Sequence, residues 1–165
     1  MLFSCNVKDK GNSNQSIHNY SSDEILGNPI RINITEENDI IYKIESDTLL
    51  DSLGNILLFG GVNVQVYGDN AIKKNDIYSN RAIVYNKSDS MSAYGNVKVV
   101  STVNGYELYT KKIILFNDTR LVRSKDEVLF IHEGDSMRGI GFWSDFDMEN
   151  WTIEKPIGSI IKDNK

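Results

Sequence analysis

The feature that most constrains this chain is a strand-like alternation that returns on a period of about thirty residues. Ile44-Glu45-Ser46-Asp47-Thr48-Leu49 recurs as Ile77-Tyr78-Ser79-Asn80-Arg81-Ala82 and again as Leu108-Tyr109-Thr110-Lys111-Lys112-Ile113. The hydroxyl residues Ser46, Ser79 and Thr110 are 33 and then 31 positions apart. Each unit runs on to a valine segment, at Gly61-Val62, Gly95-Asn96-Val97 and Glu127-Val128. Within the units apolar and polar residues alternate, as in Ile30-Arg31-Ile32-Asn33-Ile34 and Val62-Asn63-Val64-Gln65-Val66. Period-2 alternation rich in β-branched residues describes half-buried strands. A short repeat that cannot bury its own apolar face must stack on its neighbours. The expected fold is therefore all-β, built from strand–turn–strand units in an antiparallel sheet. A curved open sheet, a folded-over sheet and a jelly-roll sandwich all satisfy this pattern.

Turn signals agree with that reading. Gly54-Asn55, Gly68-Asp69, Asn104-Gly105 and Gly134-Asp135 separate the apolar runs, and Asn104-Gly105 is the strongest hairpin signal. Helix signals are scarce. Only Ser21–Leu26 is suited to a helical turn, which Gly27-Asn28-Pro29 would end. The 165 residues suit one domain that buries about two thirds of its unfolded surface. A formal charge of −5 argues against nucleic acid, which demands clustered cations. The single cysteine, Cys5, excludes an internal disulfide framework and a cysteine-based zinc site.

The N-terminus has a different character. Met1-Leu2-Phe3-Ser4-Cys5 is too short for a secretory signal but resembles the end of a bacterial lipobox, in the loose Leu-x-x-Cys form that spirochaetal lipoproteins use. On that resemblance Cys5 is a lipidation site. The polar run behind it reads as a tether. The expected organisation is residual signal and lipobox at 1–5, polar tether at 6–29, β-domain at 30–158 and tail at 159–165. No apolar run approaches the length of about 18 residues that a membrane-spanning helix needs.

Alternation nominates one face of the sheet as apolar: Ile32 and Ile44, then Val64, Val66, Val97 and Val99, then Leu108, Ile114, Phe116, Val128, Phe130 and Phe142. A closed core and an open trough for hydrocarbon require the same side chains, so periodicity leaves both open. Catalytic chemistry finds no support. His18 lies in the tether, and neither it nor His132 has a nucleophile or acid partner at useful spacing. No cofactor and no metal site are expected: Glu36–Asp39 and Asp145–Asp147 lack the alternating oxygen ligands and glycine turn of a calcium loop. Lys73-Lys74 and Lys111-Lys112 are suited to meeting lipid phosphates near a groove mouth, but read first as edge lysines that blunt aggregation.

The repeated Gly-x-Val-x-Val strands, Gly105-Tyr106-Glu107-Leu108-Tyr109-Thr110 and Gly139-Ile140-Gly141-Phe142-Trp143-Ser144-Asp145 together resemble the LptC-like periplasmic lipopolysaccharide-export proteins, of the LptA/LptC/OstA-like β-fold family. The resemblance spans roughly residues 40–158. It implies a non-enzymatic protein that receives an amphipathic glycolipid from an inner-membrane ABC transporter and passes it along an apolar β-groove. It also implies partner docking by strand addition at the sheet edges. The transporter's periplasmic domains would meet an N-terminal edge at Ile30, Ile34 and Ile40. A soluble LptA-like bridge protein would meet a C-terminal edge at Gly139, Gly141, Trp143 and Trp151. The expected location is the periplasm, on the inner membrane through Cys5. On this expectation a lipid-modified Cys5 takes the place of the family's usual transmembrane helix. Two alternatives remain: a soluble LptA-like component, and a surface lipoprotein that binds a host or matrix ligand.

Overall fold

The computed structural model describes residues 6–7, 25–36 and 39–160. They form one antiparallel sheet of ten strands: β1 (Asn6–Val7), β2 (Ile25–Glu36), β3 (Asp39–Ser52), β4 (Asn55–Tyr67), β5 (Lys73–Tyr85), β6 (Ser90–Ser101), β7 (Glu107–Phe116), β8 (Leu121–His132), β9 (Asp135–Asp145) and β10 (Trp151–Ile160). Strand order in space equals order in the chain, and the two ends of the sheet do not meet. The all-β, antiparallel expectation holds. Among the described residues no helix is long and apolar enough to cross a membrane.

Nearly every strand is broken once near its middle. Pairing skips between Glu45 and Thr48, Phe59 and Val62, Tyr78 and Arg81, Tyr94 and Val97, Thr110 and Ile114, and Ser124 and Glu127. These bulges line up across the sheet and fold it into two arms. The sequence repeat marks this corner. Ser46 Oγ donates to the Thr48 carbonyl at 3.2 Å, and Ser79 Oγ to the Arg81 carbonyl at 3.1 Å. Thr110 Oγ1 donates to the Glu127 carbonyl at 2.9 Å. The hydroxyls thus satisfy carbonyls that the broken ladder leaves free. Opposite them, Gly60 (φ 80°) and Gly95 (φ 75°) take left-handed backbone where a Cβ would sit 2.7 Å from Asp47 Cβ and 2.8 Å from Asn80 Nδ2. Only glycine fits both the dihedral and the space.

The first arm carries residues Ile30–Glu45, Val62–Tyr78, Val97–Thr110 and Glu127–Ile140, and the second carries the remaining strand halves. Ile32, Ile44, Val64, Ile77, Val99, Leu108, Phe130 and Met137 are paired one to the next across eight strands of the first arm. Leu49, Leu58, Ala82, Ala93 and Ile113 form the facing row of the second arm. Together they make one buried cluster between the arms. Each fully buried aliphatic side chain is worth roughly 1.5–3 kcal/mol. A lost ladder hydrogen bond costs about 1 kcal/mol. Burial therefore outweighs the broken pairing at the corner.

The boundaries differ from the expected 30–158. Asn6–Val7 pairs with Ile32 and Asn33, and β2 already begins at Ile25. Ile25 and Leu26 are extended rather than helical, and Gly27-Asn28-Pro29 forms a bulge instead of a stop. Cys5, His18 and the lipobox lie outside the described residues.

Candidate functional site

The interior between the arms is the principal candidate site. Ten of the nominated residues face it and are buried: Ile32, Ile44, Val64, Val66, Val97, Val99, Leu108, Val128, Phe130 and Phe142. Ile114 and Phe116 are not among them. The bulge between Thr110 and Ile114 switches parity along β7, so Ile113 and Leu115 point inward and Ile114 and Phe116 lie half-buried on the outer face. Strict alternation continued from Leu108 misses that switch.

At the far end of the interior Phe130 gathers an aromatic group. Its ring lies 5.1 Å from Tyr106, 5.6 Å from Phe142 and 4.4 Å from Trp151. Trp151 and Phe142 come from the second arm, so these contacts join the arms. His132 stacks on Tyr106 at 4.2 Å, a packing role.

Away from the corner the arms meet along a seam. The turn after β9 folds inward there, burying Phe146 and Met148. Asp145 shapes it by accepting from the backbone N–H of Glu149 (3.0 Å) and from Asn150 Nδ2 (2.7 Å). Asn75 Nδ2 donates to the Phe146 carbonyl, Asn104 Nδ2 donates to the Asp147 carbonyl at 3.2 Å, and Lys74 pairs with Asp147 at 3.1 Å. The acids of Asp145–Asp147 are thus engaged in closing the seam. The Asn75 Oδ1 is buried with no partner among the described residues, so the seal is incompletely satisfied. A hollow of about 390 Å³ lies beside the turn, between Gly68, Ile72 and Lys74 on one lip and Thr119, Arg120 and Phe146 on the other. Sequence reasoning missed this turn, because one phenylalanine and one methionine in a polar stretch carry no periodicity.

Tyr42 completes the seam by donating from its hydroxyl to Asn117 Oδ1, and Asn117 Nδ2 in turn donates to Asp89 at 3.0 Å. Burial, reinforced by the Asp89 carboxylate, pushes the Tyr42 hydroxyl well above its ordinary pKa. The folded chain therefore keeps the proton where an unfolded tyrosine, with a pKa of about 10, would lose it. This contribution is intact below the unfolded value and is lost as pH rises past it. Tyr42→Phe should cost about 1 kcal/mol near neutrality, from the lost hydrogen bond. It should also remove part of the stability loss seen above pH about 10. Urea midpoints measured on both sides of that pH check it.

The edge residues are distributed differently from the expectation. Ile40 lies on β3 and Gly139, Gly141 and Trp143 on β9, and both strands have a neighbouring strand on each side, so none of the four lies on an outermost strand. Among the described residues the C-terminal edge is β10, which contains Trp151. Pro156 made a final strand hard to foresee, but proline is tolerated on an edge and here adjoins a bulge. At the other end β2, with Ile30 and Ile34, is covered by β1 only at Ile32 and Asn33.

The two outer faces differ. On the first arm Lys98 pairs with Glu107 at 3.1 Å and Arg31 pairs with Glu45. Hydrogen bonding from Tyr109, then the Lys98 ammonium, holds the Glu107 carboxyl below its usual range. The second arm's outer face carries an aliphatic and aromatic group, Leu57, Ile83, Ile114, Phe116, Leu121 and Trp143.

Compared with known proteins, residues 1–156 match a family model described as lipopolysaccharide-assembly, LptC-related. No curated protein matches in sequence. Among solved structures, the crystal structure of LptH, the LptA-homologous periplasmic component of the conserved lipopolysaccharide transport device from Pseudomonas aeruginosa, is similar with a TM-score of 0.58 and 14% identity, over 73% of this chain and 94% of that one. That likeness is one of fold.

Proposed function

Because the chain belongs to the LptC-related lipopolysaccharide-assembly family, we propose that it carries the acyl chains of an amphipathic glycolipid between its two arms. It is a component of the periplasmic bridge of lipopolysaccharide transport. The observation that supports the acyl path is the paired apolar row from Ile32 to Met137, which crosses eight strands without a charged side chain. Hydrocarbon needs a continuous apolar lining and no reactive group, and the lining offers that. In the closed arrangement Phe146 and Met148 occupy part of this space. Arriving acyl chains displace them by opening a seam held by a few polar contacts.

The partners dock by extending the sheet. The outer side of β10 carries no strand among the described residues, and most of β2 is likewise uncovered. A soluble LptA-like protein adds its strand at β10, and the periplasmic domains of an inner-membrane ABC transporter approach the β2 side. Cys5 carries the lipid that tethers the domain to the inner membrane. Incorporation of labelled palmitate, lost in Cys5→Ser, checks that tether.

A photo-crosslinking residue at Val99 or Phe130 should capture lipopolysaccharide in cells. The same residue at Lys98, on the outer face of the first arm, should capture none. Capture at Lys98 without capture at Val99 or Phe130 overturns the proposal.

A further inference from the structure

The outer face of the second arm has a composition that neither the interior nor the edges explain. Leu57, Ile83, Ile114, Phe116, Leu121 and Trp143 lie on one side of the sheet from β4 to β9. Trp143 is 40% and Leu121 36% exposed, and together with Phe116 they line a hollow of about 550 Å³. A sheet that is apolar on both faces ordinarily has a layer packed on each. No element of this chain covers the second arm among the described residues.

The charges on this face are also distinctive. Arg81, Lys112 and Arg123 project from it, and Arg123 pairs with Glu154 at 3.2 Å. Lys112 and Arg81 both lie over the Tyr94 ring, at 4.8 and 5.4 Å, and the Tyr94 hydroxyl meets that of Tyr85 at 3.0 Å. Cations and aromatic rings thus gather on this face of a chain whose formal charge is −5. The first arm's outer face pairs Lys98 with Glu107 and Arg31 with Glu45, and sets Lys43 over the Tyr67 ring.

Tryptophan and tyrosine beside arginine and lysine, around an aliphatic centre, are the side chains that settle at the headgroup level of a bilayer. We propose that this face rests on an anionic phospholipid surface, with Trp143 and Leu121 entering the headgroup layer and Arg81, Lys112 and Arg123 meeting lipid phosphates. The seam lies on the other side of that arm and stays clear of the surface. This goes beyond the transport reading and does not depend on acyl chains entering the interior.

The test uses the full 165-residue chain, purified without lipid modification, with vesicles of phosphatidylcholine alone or mixed with phosphatidylglycerol. In a Trp151→Phe background, Trp143 is the sole tryptophan. The expected results are co-sedimentation with the anionic vesicles only, a blue shift of Trp143 emission, and weakening by salt. Arg81→Gln with Lys112→Gln should weaken binding about tenfold or more. Leu121→Gln, at an exposed position, should weaken it while leaving the circular dichroism spectrum unchanged. Lys98→Gln with Arg138→Gln, on the first arm, should leave it unaltered.

Three results overturn the proposal. The first is no binding to anionic vesicles. The second is binding that leaves Trp143 emission unmoved and ignores Leu121→Gln, which would place the lipid in the interior. The third is concentration-dependent dimerisation, without vesicles, that Leu121→Gln abolishes, which would give the face to a second copy. Failure of the interior to crosslink lipid at Val99 leaves this inference standing, and the converse also holds.

Discussion

Phe130→Ala should lower the stability of the fold by about 3–5 kcal/mol, read as a fall in the urea midpoint at unchanged slope. The ring is 3% exposed and contacts Tyr106 on its own arm and Phe142 and Trp151 on the other. Its removal opens a cavity where the arms meet, and the neighbouring rings belong to different strands and cannot all collapse into it. Trp151 then gains solvent, so its emission should move to the red before unfolding begins. Phe116→Ala is the matched control. Its ring is half-buried on the outer face, and its loss should cost less than half as much. Equal losses at the two positions would contradict the assignment of inner and outer faces along β7.

Gly139→Val should detach the last strand. A Cβ at this position would lie 2.2 Å from Ile153 Cγ2, 2.6 Å from the Lys155 carbonyl oxygen and 3.1 Å from Pro156 Cα. Two of those three atoms are backbone and cannot rotate away. Overpacking of this kind costs about 1–3 kcal/mol when a core absorbs it. Here a cheaper escape exists, because among the described residues β10 pairs only with β9. Amide exchange in Trp151–Ile160 should rise sharply while β5 to β8 keep their protection. A partner that adds its strand at β10 should lose binding in the same variant. Gly158→Ala, where an added Cβ meets nothing within 4 Å, should change neither.

The fold class was legible in the sequence because alternation and turn chemistry are local, and a meander asks for little else. Ile32, Ile44, Val64 and Val99 could be assigned to one face for the same reason. What alternation could not locate was the place where it resets. The recurring Ser46, Ser79 and Thr110 were visible as a period, but their purpose, to satisfy carbonyls at a fold line, depends on the strand opposite. Ile114 and Phe116 were misplaced by one such reset. The seam was illegible for another reason: Tyr42 and Asn117 are 75 residues apart, and no local pattern announces their hydrogen bond. The edge was displaced because Pro156 hides a strand that only an edge position permits.

The identity of chain order and spatial order also bears on how the molecule forms. Each strand finds its partner across a single hairpin, so loop closure costs little at every step. Pairing can begin at any one turn, with Asn104-Gly105 the best prepared, and spread outward in both directions like a zip. The contacts of high sequence separation, Tyr42 with Asn117 and Asn75 with Phe146, can form only after the sheet has bent. The bend therefore joins hairpins whose own pairing does not depend on it, and what holds the arms together is the buried cluster between them rather than any strand ladder.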